Sequence, residues 1–387
     1  MKHFSSLARA SVLAGALAVL LSGTAFSHDS LEKVPEPAIP FAPLKYVVQR
    51  AAGPIRIDGK LDEDSWMKAE WTEVFGDIEG PAKPEPRYRT RVQMLWDDNY
   101  LYVGAYLEEP NVWATLTARD SVIFEDNDFE VFIDPDGDTH DYYELEMNAL
   151  NTVWDLLLVK PYRDGGPAVN AWDIKGLKTA VCVMGTLNDP SDRDKAWTVE
   201  IAIPFEVLRE CIPGKPERPS PGDQWRMNFS RVEYHLKAEN GRYVKAKDPV
   251  SGQDLPEDNW TWSPQGLINI HYPEMWGYVQ FSGRAAGERV DKFREKPEEK
   301  VKWALRKIYY KERALYAAQG RFSTDLGELG VKNAKEMKIK DWDYPPVIQT
   351  TQSLFEAVYS PKGRGARWHI RQDGLVWGDE AGKPGSR

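Results

Sequence analysis

The 34 residues from Ser121 to Trp154, SVIFEDNDFEVFIDPDGDTHDYYELEMNALNTVW, constrain the fold more than any other part of the chain. Successive side chains of a β-strand point to opposite faces. Phe129, Val131 and Ile133 therefore share one face, and Asp128, Glu130 and Phe132 share the other. Tyr143, Leu145, Met147 and Ala149 alternate in the same way with Tyr142, Glu144, Glu146 and Asn148, and the DPDGD of residues 134–138 supplies turn chemistry between the two runs. The spacing predicts a β-hairpin with one apolar face, which needs a second layer to cover it, and one acidic face. Carboxylates gathered on one face are costly unless they are wet or paired. Two readings stay open: a solvated outer face, since charged residues mostly remain exposed, or a polar binding surface.

The same period of two recurs along the chain. Thr90, Val92, Met94 and Trp96 alternate with Arg89, Arg91, Gln93 and Leu95; residues 97–99 turn the chain, and Leu101, Val103, Ala105 and Leu107 follow on one side. Further strands are expected at 153–159, 177–184, 197–203, 225–234 and 277–281, with a short helix after Pro204 over residues 205–211. That number of short strands suits an all-β fold of two packed antiparallel sheets, a β-sandwich. The pattern changes near Ser282. Val301, Leu305, Ile308, Leu315 and Ala318 recur at helical spacing within residues 298–319, Gly320 ends the run, and short strands are expected at 347–359, 367–372 and 374–377. The chain thus divides into a sandwich over residues 46–283 and a small C-terminal α+β extension over residues 284–387.

Before the sandwich, Lys2 and Arg9 flank an apolar stretch over residues 10–21, and Ala25–Phe26–Ser27 forms a small-residue cleavage pattern. Residues 1–27 read as a signal peptide. The mature chain begins near His28, with a Pro-rich lead over residues 28–45 read as an extended tether. Export places the protein in the periplasm or outside the cell. No segment reaches the length of about 20 apolar residues that a membrane span requires. Loss of Lys2 and Arg9 takes the formal charge from −10 to −12, which disfavours nucleic acid as a partner. Cys182 and Cys211 are the only cysteines; in an oxidising compartment they either pair or remain two separate thiols, and neither sits in a CxxC motif.

Fifteen tryptophans are more than a binding site needs, so most belong to the core; Trp66, Trp96, Trp197 and Trp225 lie in or beside expected strands and the first helical turn. Trp113, Trp154, Trp172, Trp260, Trp262 and Trp276 stand nearer loops rich in Asn, Pro and Gly. An indole face beside carboxylates and amides matches a sugar ring, which offers C–H groups to an aromatic plane and hydroxyls to polar partners.

Seven blocks carry a resemblance to a known family. They are IRIDGKLDEDSW (55–66), VQMLWDDNYLYVGAYLEEP (92–110), IFEDNDFEVFIDPDGD (123–138), YYELEMNALNTVWD (142–155), WTVEIAIPFEVL (197–208), GDQWRMNFSRVE (222–233) and WSPQGLINIHYPEMWGYVQFS (262–282). Together they resemble family 9 carbohydrate-binding modules and their DOMON-like relatives over residues 52–282. The resemblance implies a β-sandwich centred on the acidic hairpin. It implies that Phe124 stacks on a sugar and that Glu130 binds hydroxyls, with Asp128, Glu144, Glu146 and Asn148 beside them. Where the family commonly carries an Arg before that Asn, this chain has Glu146, so Arg89 or Arg91 is expected to compensate, and Trp260 or Trp262 to supply a second aromatic. It also implies structural calcium, for which Asp134, Asp136 and Asp138 offer hard oxygen ligands. Haem is the alternative cofactor, with Met147 and His140 or His271 as axial ligands.

Three functions are compatible with these residues. The first is an exported, non-catalytic carbohydrate-binding protein that assists polysaccharide recognition or breakdown, taking polysaccharide or oligosaccharide as ligand and a separate glycoside hydrolase as partner. The second is a haem-binding electron-transfer module. The third is a glycoside hydrolase using two of Asp128, Glu130, Glu144 and Glu146, whose cross-strand spacing suits paired-carboxylate chemistry.

Overall fold

The computed structural model describes residues 33–212 and 218–380. The signal peptide and the first residues of the Pro-rich lead lie outside that range. Among the described residues, eleven strands form one hydrogen-bonded path. Its order is Ala168–Val169, Val153–Leu158, Tyr142–Asn148, Asp128–Asp134, Gln224–Glu233, Gly277–Ala285, Lys45–Arg50, Thr90–Trp96, Tyr100–Glu108, Ala196–Pro204 and Lys178–Met184. The path folds back on itself, because side chains from its two halves fill one core: Val131, Leu145, Met147 and Phe229 from the first, Val92, Val103, Ala105 and Ile201 from the second. This is the sandwich that the alternation requires.

The hinge of that sandwich is the strand Lys45–Arg50, which carries no clean alternation and is not anticipated from the sequence. It pairs parallel with Gly277–Ala285 on one side and with Thr90–Trp96 on the other, with a register break between Val48 and Arg50. The expectation of purely antiparallel sheets is therefore corrected at this one place. Every other pairing in the path is antiparallel. The helix expected at 205–211 is shorter than its pattern suggests, a single 3-10 turn at Val207–Arg209.

Within the hairpin, Asp128 pairs with Asn148, Glu130 with Glu146 and Phe132 with Glu144. Phe129, Val131, Ile133, Tyr143, Leu145 and Met147 all enter the core. A one-residue slip would turn every one of them outward, so burial of this face fixes which carboxylates point the other way. Gly277 lies directly under Trp262: a Cβ there would stand 2.4 Å from the indole, which explains why the strand opens on glycine.

The C-terminal extension is the helix Glu298–Gln319 packed on a four-stranded antiparallel sheet in sequential order, Val347–Thr350, Phe355–Tyr359, Ala366–Arg371 and Val376–Glu380. The run read as a single strand over 347–359 is a hairpin. This unit is joined to the sandwich by buried charges. The Arg163 guanidinium donates 2.8 Å bonds to both carboxylate oxygens of Glu274 and lies 3.9 Å over the Tyr272 ring. From the helix, Tyr310 donates to Glu274, and Arg313 and Tyr309 donate to Asp164. Burial opposes ionisation of Glu274, yet Arg163 and Arg306 hold its pKa down at about 2.

The lead is not a free tether over its described part. Val34 is buried, Phe41 stacks on Trp303 at 4.3 Å, and Glu36 pairs with Lys307 and Lys311. It is a strap across the C-terminal helix. Cys182 and Cys211 are both free thiols, so the disulfide left open by the sequence is not formed.

Arg163→Ala strands the Glu274 carboxylate without its bidentate partner. The expected outcome is a loss of about 3–5 kcal/mol in urea unfolding monitored by tryptophan fluorescence.

Candidate functional site

The acidic face of the hairpin is not a solvated surface. Asp128, Glu130, Glu144 and Glu146 are each 5% exposed or less. They are covered because residues 262–276 fold across this face, fixed by Ser263 Oγ donating to the Met275 carbonyl at 3.0 Å and Trp276 Nε1 donating to the Ile270 carbonyl at 2.7 Å. Toward the turn, Phe132, Tyr142, Leu156, Leu158 and Trp276 make a separate apolar cluster. Toward the other end the loop leaves a pocket of about 280 Å³, close to the lower limit of roughly 300 Å³ for small-molecule sites.

Glu130, Glu144 and Glu146 form the floor of that pocket. Phe124, Trp154, Tyr162, Asn259, Ile268 and His271 complete its lining, with Tyr162 edge-on to His271 at 4.7 Å. Phe124 is 43% and Ile268 64% exposed, so the rim is apolar and open. Trp154 pairs across the sheet with Glu146, which puts its indole next to the carboxylates, and the Phe124 and Trp154 rings lie 6.4 Å apart at 37°. The Phe124 backbone N–H donates to Glu146 at 3.0 Å, tying the aromatic to the floor.

Among the described residues, no lysine or arginine lines the pocket. Burial therefore dominates the ionisation of the floor. Desolvation, with Glu130 adding repulsion, raises Glu144 to about 8, and desolvation raises Glu130 to about 7 against a hydrogen bond with Ser230. Asp128 and Glu146 are pushed up by burial and by their acidic neighbours. His271 adds no charge: burial and nearby Arg163 lower it to about 3, and its Nδ1 meets the Tyr142 hydroxyl at 2.9 Å. Near neutral pH the floor contains both hydrogen-bond donors and acceptors, which is what a ring of hydroxyls requires.

The sequence-based site is partly redrawn. Phe124, Glu130, Glu144 and Glu146 converge on the pocket, with Asp128 buried behind them. Asn148 does not reach it. Its amide donates to the Leu116 carbonyl and Asp126, and its oxygen accepts from Leu150 and Thr152, so it caps the strand end. Arg91 lies in the opposite layer, 4.0 Å over the Trp71 ring, and compensates no carboxylate of the hairpin. Trp260 and Trp262 are core residues, and Trp262 Nε1 donates to Glu73. Their strand and loop run beside the pocket but turn both indoles inward. Of the pocket residues outside the sequence-based site, Trp154 is among the tryptophans that the sequence places near loops and His271 is one of its candidate haem ligands, while Tyr162 and Asn259 carry no signal.

At the hairpin turn, oxygens of Asp134, Asp136 and Asp138 lie within 4.8 Å of one another. Asp134 already accepts the Gly137 and Thr139 N–H groups, and Asp138 that of His140, which holds the carboxylates in place. The donor set is all hard oxygen and fits calcium. The haem ligands do not converge: Met147 fills the core, His140 is held by the Asp373 carbonyl at 3.0 Å, and His271 is in the pocket on the other face from Met147.

Comparison with known proteins gives one family. Residues 57–260, rather more than half of the chain, match the family described as carbohydrate family 9 binding domain-like. A stretch of 88 residues is 34% identical to endo-1,4-beta-xylanase A of Thermotoga maritima, covering 23% of this chain and 8% of the xylanase. A family 9 carbohydrate-binding module of Caldicellulosiruptor kristjanssonii, solved with cellotriose, aligns at 18% identity and a TM-score of 0.40 over 64% of this chain and 98% of its own. A putative carbohydrate-binding protein from Bacteroides uniformis aligns at 15% and 0.45, over 62% and 100%.

The raised carboxyls have a consequence for stability. Between an unfolded pKa near 4.5 and the folded values of about 7 and 8 for Glu130 and Glu144, the native state holds more protons than the unfolded one. Stability from these groups is therefore lost as pH rises through that window. In EDTA, Glu144→Gln is expected to be more stable than the parent by about 1–3 kcal/mol at pH 8.5, with the difference vanishing towards pH 4.5. Urea unfolding at the two pH values measures it.

Proposed function

The chain belongs to the carbohydrate family 9 binding domain-like family, and on that footing we propose that the pocket over the hairpin is where it binds a saccharide. The observation that carries this reading is the pairing of an open aromatic rim with a buried carboxyl floor. Phe124 and Trp154 offer flat apolar faces. Glu130, Glu144 and Glu146 line the same pocket beside them. The rim takes the C–H face of a sugar and the floor takes its hydroxyls.

Paired carboxyls with raised pKa are also the equipment of a glycosidase. The family is one of binding domains, so we assign these groups to holding hydroxyls, and catalysis to a separate glycoside hydrolase acting on the same polysaccharide. Such a role fits an exported protein, periplasmic or extracellular, as the leader sequence implies. Among the described residues no helix is long and apolar enough to cross a membrane.

We further assign a structural calcium ion to Asp134, Asp136 and Asp138. When bound, it would offset the mutual repulsion of three acids at a turn that docks on the C-terminal helix through Arg306 and Thr139. Calcium is expected to raise the melting temperature of the parent by several degrees, and Asp136→Asn to remove most of that rise in differential scanning fluorimetry.

For the pocket, a glycan array of plant-polysaccharide oligosaccharides identifies the ligand, and calorimetry with the best binder tests the residues. Trp154→Ala, Phe124→Ala and Glu130→Ala are each expected to lower affinity at least about tenfold while leaving the circular dichroism spectrum unchanged. Full affinity in all three folded variants would place the site elsewhere.

A further inference from the structure

Asp128, Glu130 and Glu146 each offer a carboxylate oxygen within 4.8 Å of the others, and all three side chains are buried. Two ligands of one calcium ion, each at about 2.3–2.6 Å from it, stand at most about 5 Å apart, so the three oxygens lie within the span of a single ion. A second observation is independent of that spacing. Asp128 Oδ1 accepts the Val232 N–H at 2.9 Å, but Oδ2 is buried with no hydrogen-bond partner. A buried carboxylate oxygen without a donor is a costly arrangement in a folded protein, and one that a bound cation resolves.

Among the described residues, no lysine or arginine walls the pocket, and the imidazole that lines it, His271, is already engaged by the Tyr142 hydroxyl through Nδ1. We propose that Asp128, Glu130 and Glu146 hold a hard divalent cation in the floor of the pocket, and that the cation receives hydroxyl oxygens of the saccharide. This rests on the reading of the pocket as the saccharide site. The donor set contains no thiolate or imidazole, which selects calcium-like ions over zinc or copper. Asp128 closes the site from behind. Glu130 and Glu146 face the pocket, so the open coordination positions point to the ligand, and Phe124, tied to Glu146 through its backbone N–H, sets the stacking ring beside them. The site is separate from the turn: Asp128 and Asp134 are the two ends of one strand, about 20 Å apart.

The test uses the full chain stripped with EDTA. Calcium is titrated by calorimetry into the parent, Glu130→Gln, Asp128→Asn and the turn variant Asp136→Asn, with terbium luminescence sensitised by Trp154 as a second readout. The proposal expects a binding event that weakens at least about tenfold in Glu130→Gln and Asp128→Asn and survives in Asp136→Asn. Calcium binding that disappears in Asp136→Asn and is unchanged in Glu130→Gln overturns it. Both pocket substitutions remove charge from a crowded cluster at constant shape, and Asp128→Asn is the fallback should Glu130→Gln fail to fold.

The array-selected saccharide is then titrated in calcium and in EDTA. A loss of affinity of at least about tenfold in EDTA supports the bridging role. Equal affinity in both overturns that role and leaves the pocket reading standing. Calcium binding that depends on Glu130, with no saccharide bound in either buffer, supports the metal site and overturns the carbohydrate reading.

Discussion

A pocket floor made of carboxyl groups, with no lysine or arginine among the described residues of its walls, governs the rest of the site. Each such group loses water on burial, and its neighbours make ionisation harder. Three things relieve this: protonation, hydrogen bonds from Ser230 and the Phe124 backbone, and whatever enters the pocket. Protonation turns acceptors into donors, and an incoming ligand gains interactions that the empty floor lacks. The site is therefore built to be completed by a ligand. That also explains why it sits under a loop: on an open sheet face the same acids would be hydrated and indifferent to a sugar.

Keeping the acids dry depends on elements far from them in sequence. Residues 262–276 lie over the hairpin because Glu274, within that stretch, is gripped by Arg163 and by Tyr310 of the C-terminal helix. The opposite end of the hairpin is held by the same unit: Arg306 donates to Thr139, and Thr139 to the Gly374 carbonyl. The helix and small sheet thus act as a brace behind the pocket loop. The proline-rich strap adds to it through Phe41 on Trp303 and the Glu36 ion pairs.

Alternation made most of the sandwich legible. The hairpin and its apolar face follow from period two, and the helix 298–319 follows from its spacing and the glycine that ends it. The strand Lys45–Arg50 escaped because its parallel partners come from distant parts of the chain, so no local turn or pattern announces it. Trp260 and Trp262 were misplaced for a related reason. Trp260 follows strand alternation, but which of its faces meets the core is set by pairing with residues 230–233 and with Asp77. Asn148 looked like a ligand because it shares a face with the acids, and only the course of residues 114–126 shows that its amide is fully used within the protein.

By itself, the sequence determined the local identities: most of the long strands, which face of the hairpin is acidic, and that Glu130, Glu144 and Glu146 share that face. Those follow from backbone geometry, which acts over a few residues. The tertiary structure decided whether that face is wet or dry, which aromatics border it, and that no arginine among the described residues lines the pocket over it. Solvation and charge pairing are set by whatever lies within a few ångströms in space. Here Trp154, Tyr162 and His271 are brought there by a cross-strand neighbour, a 3-10 turn and a closing loop, and period two carries no information about any of these arrivals.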